Sequence, residues 1–261
     1  MVFFMNLLKI SALVWLAATA TAAAADDARV LAAGAAKHAV EALAPAFHQA
    51  TGHTLRASYD TVGALTGRGL QAKPAEVADI LILSDAALVS LSAAGYLNPS
   101  GPLNPQRTHS IGRVVVAVAV KQGMPLPDLS TPAALQLALL AAPSIAYGDP
   151  ARGATAGTYF AKVMATMSLN DMLKDKITVL PFSVDVITGV AQGRYALGIS
   201  QSSEIKQRQG ISYAGPLPAP YGLSTGYSAA LASDSTAAQQ FLTFLKGQQA
   251  MREFESSGFA Q

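Results

Sequence analysis

VLAAGAAKHAVEALAPAFHQATGHTL (residues 30–55), RASYDTVGALTGRGLQ (56–71) and ADILILSDAALVSLSAAGYL (78–97) together decide the fold. Residues 30–33 form a short apolar run that stops at Gly34. From 35 to 49 the apolar positions Val40, Leu43, Ala44 and Phe47 recur at the three-to-four spacing of a helix stripe. Residues 54–59 alternate as a half-buried strand does, Asp60-Thr61-Val62-Gly63 reads as a turn, and 64–71 as a helix. The continuous apolar run at 78–83 predicts a buried strand, and the helix predicted over 86–94 ends at Gly95, the residue type favoured just past a helix C-terminus. Three strand-then-helix units within about 70 residues predict a parallel sheet with helices on its faces.

The same alternation continues outward. VVVAVAV at 114–120 lies in a long strand predicted over 113–120, and the proline-rich segment 125–132 leads into a helix at 133–140. A strand at 144–147 closes on Gly148-Asp149-Pro150, and the glycine- and threonine-containing loop 152–157 opens a helix at 158–167. Strand, helix and strand follow at 176–180, 184–192 and 196–200. A second proline-rich stretch at 215–220 precedes a strand at 227–231 and closing helices at 236–245 and 248–256, where Phe241, Phe244 and Phe254 keep core spacing. The pattern is α/β throughout. The two proline-rich zones suggest two lobes with two chain crossings, residues 26–110 plus 228–261 forming one lobe and 111–227 the other.

Residues 1–10 carry Lys9 as their only charge, 10–16 are mostly apolar, and 17–25 are small. This is the pattern of a cleavable secretory signal over 1–25, cut near Ala25–Asp26, and it is too short for the ~20-residue span of a bilayer core. Export to the periplasm is therefore expected. The sequence contains no cysteine, which excludes disulfides, a thiol nucleophile and cysteine-based metal sites. Without Lys9, 17 basic side chains face 16 acidic ones. That balance gives no support to a nucleic-acid or anionic-lipid partner. His48, His53 and His109 show no metal-ligand spacing and read as surface helix and loop residues. No metal and no cofactor are expected.

The order and spacing of 30–55, 78–97, GISQSSEI (198–205) and FLTFLKGQQAMREFESSGF (241–259) resemble molybdate-type periplasmic solute-binding proteins. The resemblance covers nearly the whole chain after the signal. It implies a type 2 periplasmic-binding fold: two α/β lobes of mixed sheets flanked by helices, a two-strand hinge, and one small anion in the cleft. It also implies an inner-membrane ABC permease as partner and a monomeric state. Where the family places a serine after the first strand, this sequence has Ala35. The serine-rich loop after the second strand reads Tyr59-Asp60-Thr61-Val62-Gly63, and the late-loop tyrosine is Gln201. Those losses disfavour molybdate and tungstate, because each missing donor to a buried anion costs ~1–3 kcal/mol. AAGAAKHAV (32–40), YDTVGAL (59–65) and YGDPARGATAG (147–157) are similar to a divergent branch of the family that includes a periplasmic aconitate isomerase. That branch tends to have histidine where this chain has Ser200.

Loops running from a strand into a helix start bring unpaired N–H groups and a favourable partial charge to an anion. Four such loops are present, at 34–37, 61–64, 153–157 and 183–185, with Gly34, Gly63, Gly153 and Gly157 allowing close backbone approach. The candidate ligand-binding residues are Gly34, Ala35, Lys37, Thr61, Val62, Gly63, Arg152, Ala154, Thr155, Val184, Ser200 and Gln201. Lys37 reads as a counter-ion to a carboxylate, as a base for allylic proton abstraction, or as a solvated surface lysine. Arg152 reads as a bidentate carboxylate partner or as a surface arginine after a turn. Two functions stay open. One is a receptor for an organic polycarboxylate. The other is an isomerase on the same scaffold, with Lys37 as base and His38 or Asp60 as second group.

Overall fold

The computed structural model describes residues 26–71, 78–97 and 104–261; the expected signal segment lies outside them. β1 (Asp27–Ala33) runs parallel to β2 (Thr54–Asp60) and β3 (Ile80–Ser84). The crossovers carry α1 (Lys37–Thr51) and α2 (Val62–Gln71), and α3 (Asp85–Ala93) follows β3. β3 is buried at every position, as its continuous ILILS requires of a strand covered on both faces. α1 turns Ala39, Val40, Leu43 and Phe47 inward. Phe47 meets Phe241 edge-on at 5.1 Å between ring centres.

The other half uses the same units: α4 (Pro132–Ala141), β5 (Ile145–Gly148), α5 (Thr155–Thr166), the short α6 (Asn170–Leu173), β6 (Ile177–Leu180), α7 (Ser183–Ala191), β7 (Leu197–Gln201) and α8 (Ser202–Lys206). β5 pairs parallel with β6 and β7. β4 (Thr108–Lys121) joins the halves. Its first part pairs antiparallel with β9 (Ser224–Leu231), and its second part with β7 and with β8 (Ile211–Pro216). β9 in turn pairs with β3, giving the order β2-β1-β3-β9-β4-β7-β5-β6 with β8 on β4. The closing helices α9 (Thr236–Leu245) and α10 (Gln248–Ser256) pack on the first half.

The buried side chains follow this division. One apolar cluster gathers residues 28–114 with 227–259, around Phe47, Phe241 and Phe254. Two others lie in the second half, around Phe160 and around Val186 and Val190. The fold is therefore two-lobed α/β, with β4 and β9 shared at the crossing.

Three elements were absent from the sequence reading. β8 is half-exposed along its length, and α6 and α8 are too short to show a helical stripe. His53 departs from its expected surface position. It is 2% exposed, stacks on Phe47 at 6.4 Å, and its Nδ1 accepts the Asp26 amide at 3.1 Å. An imidazole whose face is apolar packs well in a core when a ring nitrogen keeps a partner. α5 begins at Thr155, three residues earlier than expected, so Gly157 is helical. A Cβ there would fall 1.7 Å from the Gly148 carbonyl oxygen, so this glycine seats α5 on β5 and does not serve a ligand loop.

Candidate ligand-binding cleft

Where the lobes meet, a cavity of about 540 Å³ lies beyond the C-terminal ends of the parallel strands, the usual ligand position in open α/β sheets. Four helices point their N-termini at it. The entry to α1 contributes Gly34, Ala35, Lys37 and His38, that to α2 Thr61 and Val62, that to α5 Ala154, Thr155 and Ala156, and that to α7 Phe182, Ser183 and Val184.

The caps of these helices differ from those elsewhere. α3, α4 and α9, away from the cavity, carry Ser84, Thr131 and Ser235, whose hydroxyls accept from first-turn amides. At the cavity, α1 is preceded by Ala36, α5 by Ala154 and α7 by Phe182, none of which caps through its side chain. The 3-10 turn Gly34–Ala36 that leads into α1 also lacks a side-chain cap. Thr61 does cap α2, accepting from the Ala64 amide at 3.2 Å. α10, which starts after Gly247, is an uncapped helix away from the cavity. Three helices thus bring first-turn N–H groups with no capping side chain to one space, each end carrying about half a positive charge.

Polar side chains around the cavity also lack partners. The Tyr59 hydroxyl, both atoms of the Gln201 amide and the Ser203 hydroxyl are buried without a hydrogen bond, and all three residues line the cavity. The Tyr227 hydroxyl faces Thr155 and the Gln201 side chain, which also faces the Glu204 backbone amide but closes no bond of good geometry with either. Leaving a buried polar group unpaired costs about 1–3 kcal/mol.

The charged lining is mixed. The Lys37 ammonium sits 3.9 Å from Glu41 Oε1 and 5.4 Å from the centre of the Tyr59 ring. His38 Nδ1 lies 3.3 Å from the Ser257 hydroxyl and 3.8 Å from Glu253. Asp60 is paired with Arg68 at 2.7 Å. Arg208 donates to the Thr188 hydroxyl at 2.9 Å. Burial pushes the Tyr59 phenol above its ordinary range, and Glu41 adds to this. Burial does the same to Tyr227, reinforced by Glu204. Both phenols are therefore neutral hydrogen-bond donors near neutral pH. Glu204 is raised by burial, against the pull of Ser200, the Gln201 backbone N–H and Ser183.

Most of the residues singled out from sequence meet here: Gly34, Ala35, Lys37, His38, Asp60, Thr61, Val62, Ala154, Thr155, Val184 and Gln201 line the cavity. Three lie elsewhere. Gly63 stands at the mouth, its amide donating to the Gly153 carbonyl at 3.2 Å. Arg152 is also at the mouth, where its carbonyl accepts the Thr61 hydroxyl and its guanidinium stacks on Phe182 at 4.6 Å. Ser200 is fully buried behind the wall, and its hydroxyl donates to Glu204. Sequence reasoning missed Tyr59, Glu41, Ser203, Glu204, Arg208 and Tyr227 as lining residues, and took Ser183 only as the first residue of a candidate loop. Position at a strand end or in the helix turn after one would have indicated Tyr59, Ser183, Ser203 and Glu204. Tyr227 comes from an antiparallel strand and has no such signal. Ser183 and Ser203 also restore hydroxyls to a cleft that seemed stripped of serine.

Two lobes closing on a cavity ringed by uncapped helix starts define a protein that encloses a small solute. The chain belongs to the bacterial extracellular solute-binding protein family, whose family model matches residues 28–260. It is 31% identical over 238 residues to an aconitate isomerase from Pseudomonas sp, covering 88% of this chain and 86% of that protein. Among solved structures it resembles the periplasmic molybdate-binding protein of Azotobacter vinelandii, with TM-score 0.67 and 20% identity over 90% of this chain and 99% of that one. It also resembles a sulfate-binding protein of Mycobacterium tuberculosis H37Rv, with TM-score 0.67 and 19% identity over 90% and 86% of the two chains. The likeness to these structures is one of fold.

Proposed function

We propose that the cleft binds a small organic polycarboxylate of the aconitate type and that the protein works in the periplasm as the receptor of an inner-membrane ABC importer. The observation that carries this reading is the convergence of the uncapped N-termini of α1, α5 and α7 on one cleft. Such ends favour anions. At about 540 Å³ the space falls within the roughly 300–1,000 Å³ typical of sites for organic ligands, and it is large for a five-atom oxyanion. Lys37 and Arg208 bring positive charge to the same walls, and the unpaired groups of Tyr59, Gln201 and Ser203 suit several carboxylate oxygens at once. Calorimetric titration with cis- and trans-aconitate, citrate, tricarballylate, molybdate and tungstate tests it. Carboxylate binding with weak or no molybdate binding is expected, and nanomolar molybdate binding with no carboxylate binding sinks the proposal.

The 31% identity to an aconitate isomerase across most of both chains favours a second reading, catalysis on the bound ligand. A base removes a proton from the methylene carbon, the double bond moves one position, and a proton returns to the carbon at the other end of the allylic system. Helix starts that hold the carboxylates also stabilise the charge that develops on them. Lys37, His38 and Asp60 line the cavity, and Lys37 with one of the other two would carry this transfer. An ultraviolet assay of aconitate interconversion decides between the readings. A rate equal to buffer, or one unchanged in Lys37→Ala, excludes this mechanism.

A further inference from the structure

Glu204 follows β7 at the third position of α8 and presents its half-buried carboxyl to the cavity. Its two oxygens are not equivalent. Oε2 accepts the Ser200 hydroxyl and, at 3.3 Å, the Gln201 amide. Oε1 faces Gly34, where a Cβ would stand only 3.1 Å away, and both residues line the cavity. Ser183 faces the carboxyl from α7, and Tyr227 approaches from β9 as a neutral phenol. Among the described residues no ion pair reaches Glu204.

A carboxyl in this setting can meet a ligand oxygen in only one favourable way, with a single proton between them. If Glu204 is ionised, the ligand must supply that proton from a hydroxyl or a carboxylic acid. If Glu204 is protonated, it donates to a ligand carboxylate. An ionised oxyanion against an ionised Glu204 would be repelled, with solvent screening reduced by the partial burial of the carboxyl.

We propose that Glu204 is a specificity residue of the cleft: it admits ligands that share one proton with its carboxyl and rejects oxyanions that bring none. This rests on the polycarboxylate reading above for the ligand class, and not for the exclusion of oxyanions. A fully ionised ligand then binds by drawing a proton from solvent onto Glu204. Lys37, His38, Glu41, Asp60 and Arg208 also line the cavity, so a pH profile alone does not isolate Glu204. A variant does.

The test is calorimetric titration of wild type and Glu204→Gln with molybdate and with tricarballylate at pH 8, in two buffers of different ionisation enthalpy. Glutamine keeps an acceptor for Ser200 and offers the cavity a neutral amide. Molybdate affinity is expected to rise at least tenfold in the variant, a gain that loss of structure does not produce. Wild type is expected to take up about one proton per tricarballylate, and the variant none. Molybdate affinity in the variant equal to or below that of wild type overturns the inference, whatever the carboxylates do. So does equal proton uptake by the two proteins. Tightened molybdate binding with no tricarballylate binding to either protein keeps the inference and removes the polycarboxylate reading.

Discussion

The Gly63 amide donates to the Gly153 carbonyl at 3.2 Å, joining the two lobes across the mouth of the cleft. The backbones approach so closely that a Cβ on Gly63 would lie 2.6 Å from the Gly153 Cα. Two of the four glycines chosen from sequence as places where backbone meets ligand, Gly63 and Gly153, are where one lobe meets the other. Gly153 also has φ +69, in the left-handed region. Gly63→Ala is expected to hold the lobes apart and weaken ligand binding at least tenfold, with little change in the melting temperature of the free protein. Calorimetry and small-angle scattering check this; unchanged affinity would show that the contact is incidental to closure.

Lys37 places its ammonium beside Glu41 and over Tyr59 at the cavity wall. If it is a counter-ion to a bound carboxylate, Lys37→Ala should weaken tricarboxylate binding by about 1.5–3 kcal/mol, the range of hydrogen bonds to charged groups, or roughly tenfold to a hundredfold. Its half-exposed side chain contributes little to folding, so denaturant midpoints should stay close to wild type. Titration and urea unfolding of the same samples separate the two effects.

Asp79 anchors the start of β3 to β1. It accepts from the Arg29 backbone amide at 2.9 Å, from Nε at 3.0 Å and from a terminal guanidinium nitrogen at 2.9 Å, and from Ser233 at 2.8 Å. Burial opposes its charge, but the bonds from Arg29 and Ser233 outweigh it and hold the carboxyl below its ordinary range. A lowered pKa means stability that is present above the unfolded-state value, about 3.9, and is lost as pH falls through the folded one. Asp79→Asn is expected to cost about 2–3 kcal/mol at pH 7 and progressively less as the solution is acidified toward the folded value. Urea unfolding at a series of pH values measures it.

Glu204 gives the opposite sign. Its raised pKa means that the unfolded chain releases this proton first. The folded state therefore loses stability as pH rises from about 4.3, the ordinary glutamate value, toward the folded one. Glu204→Gln should remove that loss, so the variant gains on wild type as pH rises from 5 to 8. Parallel urea titrations at those two values test it, and a constant difference between the proteins contradicts it.

The α/β alternation was readable because strands such as β3 are continuous apolar runs and α1 shows a clean stripe of Val40, Leu43 and Phe47. The four helix starts were readable too, since they follow strands at fixed positions. Gln201 was chosen by position, and its two unpaired amide atoms became visible only in three dimensions. Glu204 lies in the helix turn after a strand end, a position that marks it, but its aim into the cleft was not readable, and Tyr227 carried no signal at all. Each faces the cleft because a neighbour allows it: Gly34 leaves room beside the Glu204 carboxyl, and antiparallel pairing of β9 with β3 places Tyr227 opposite Ser84. Such relations join residues far apart in sequence, and no local period encodes them. The meeting of Gly63 with Gly153 was hidden in the same way, since it exists only when the lobes are together.

The central claim, that uncapped helix starts hold a polycarboxylate, is tested most directly by amide chemical shifts during titration with trans-aconitate. Amide resonances of Ala35 before α1, Ala156 in α5 and Val184 in α7 should move together and saturate with one dissociation constant, while those of α3, α4 and α9, which have side-chain caps, stay in place. Saturable binding that leaves the Ala35, Ala156 and Val184 amides unmoved would contradict the account.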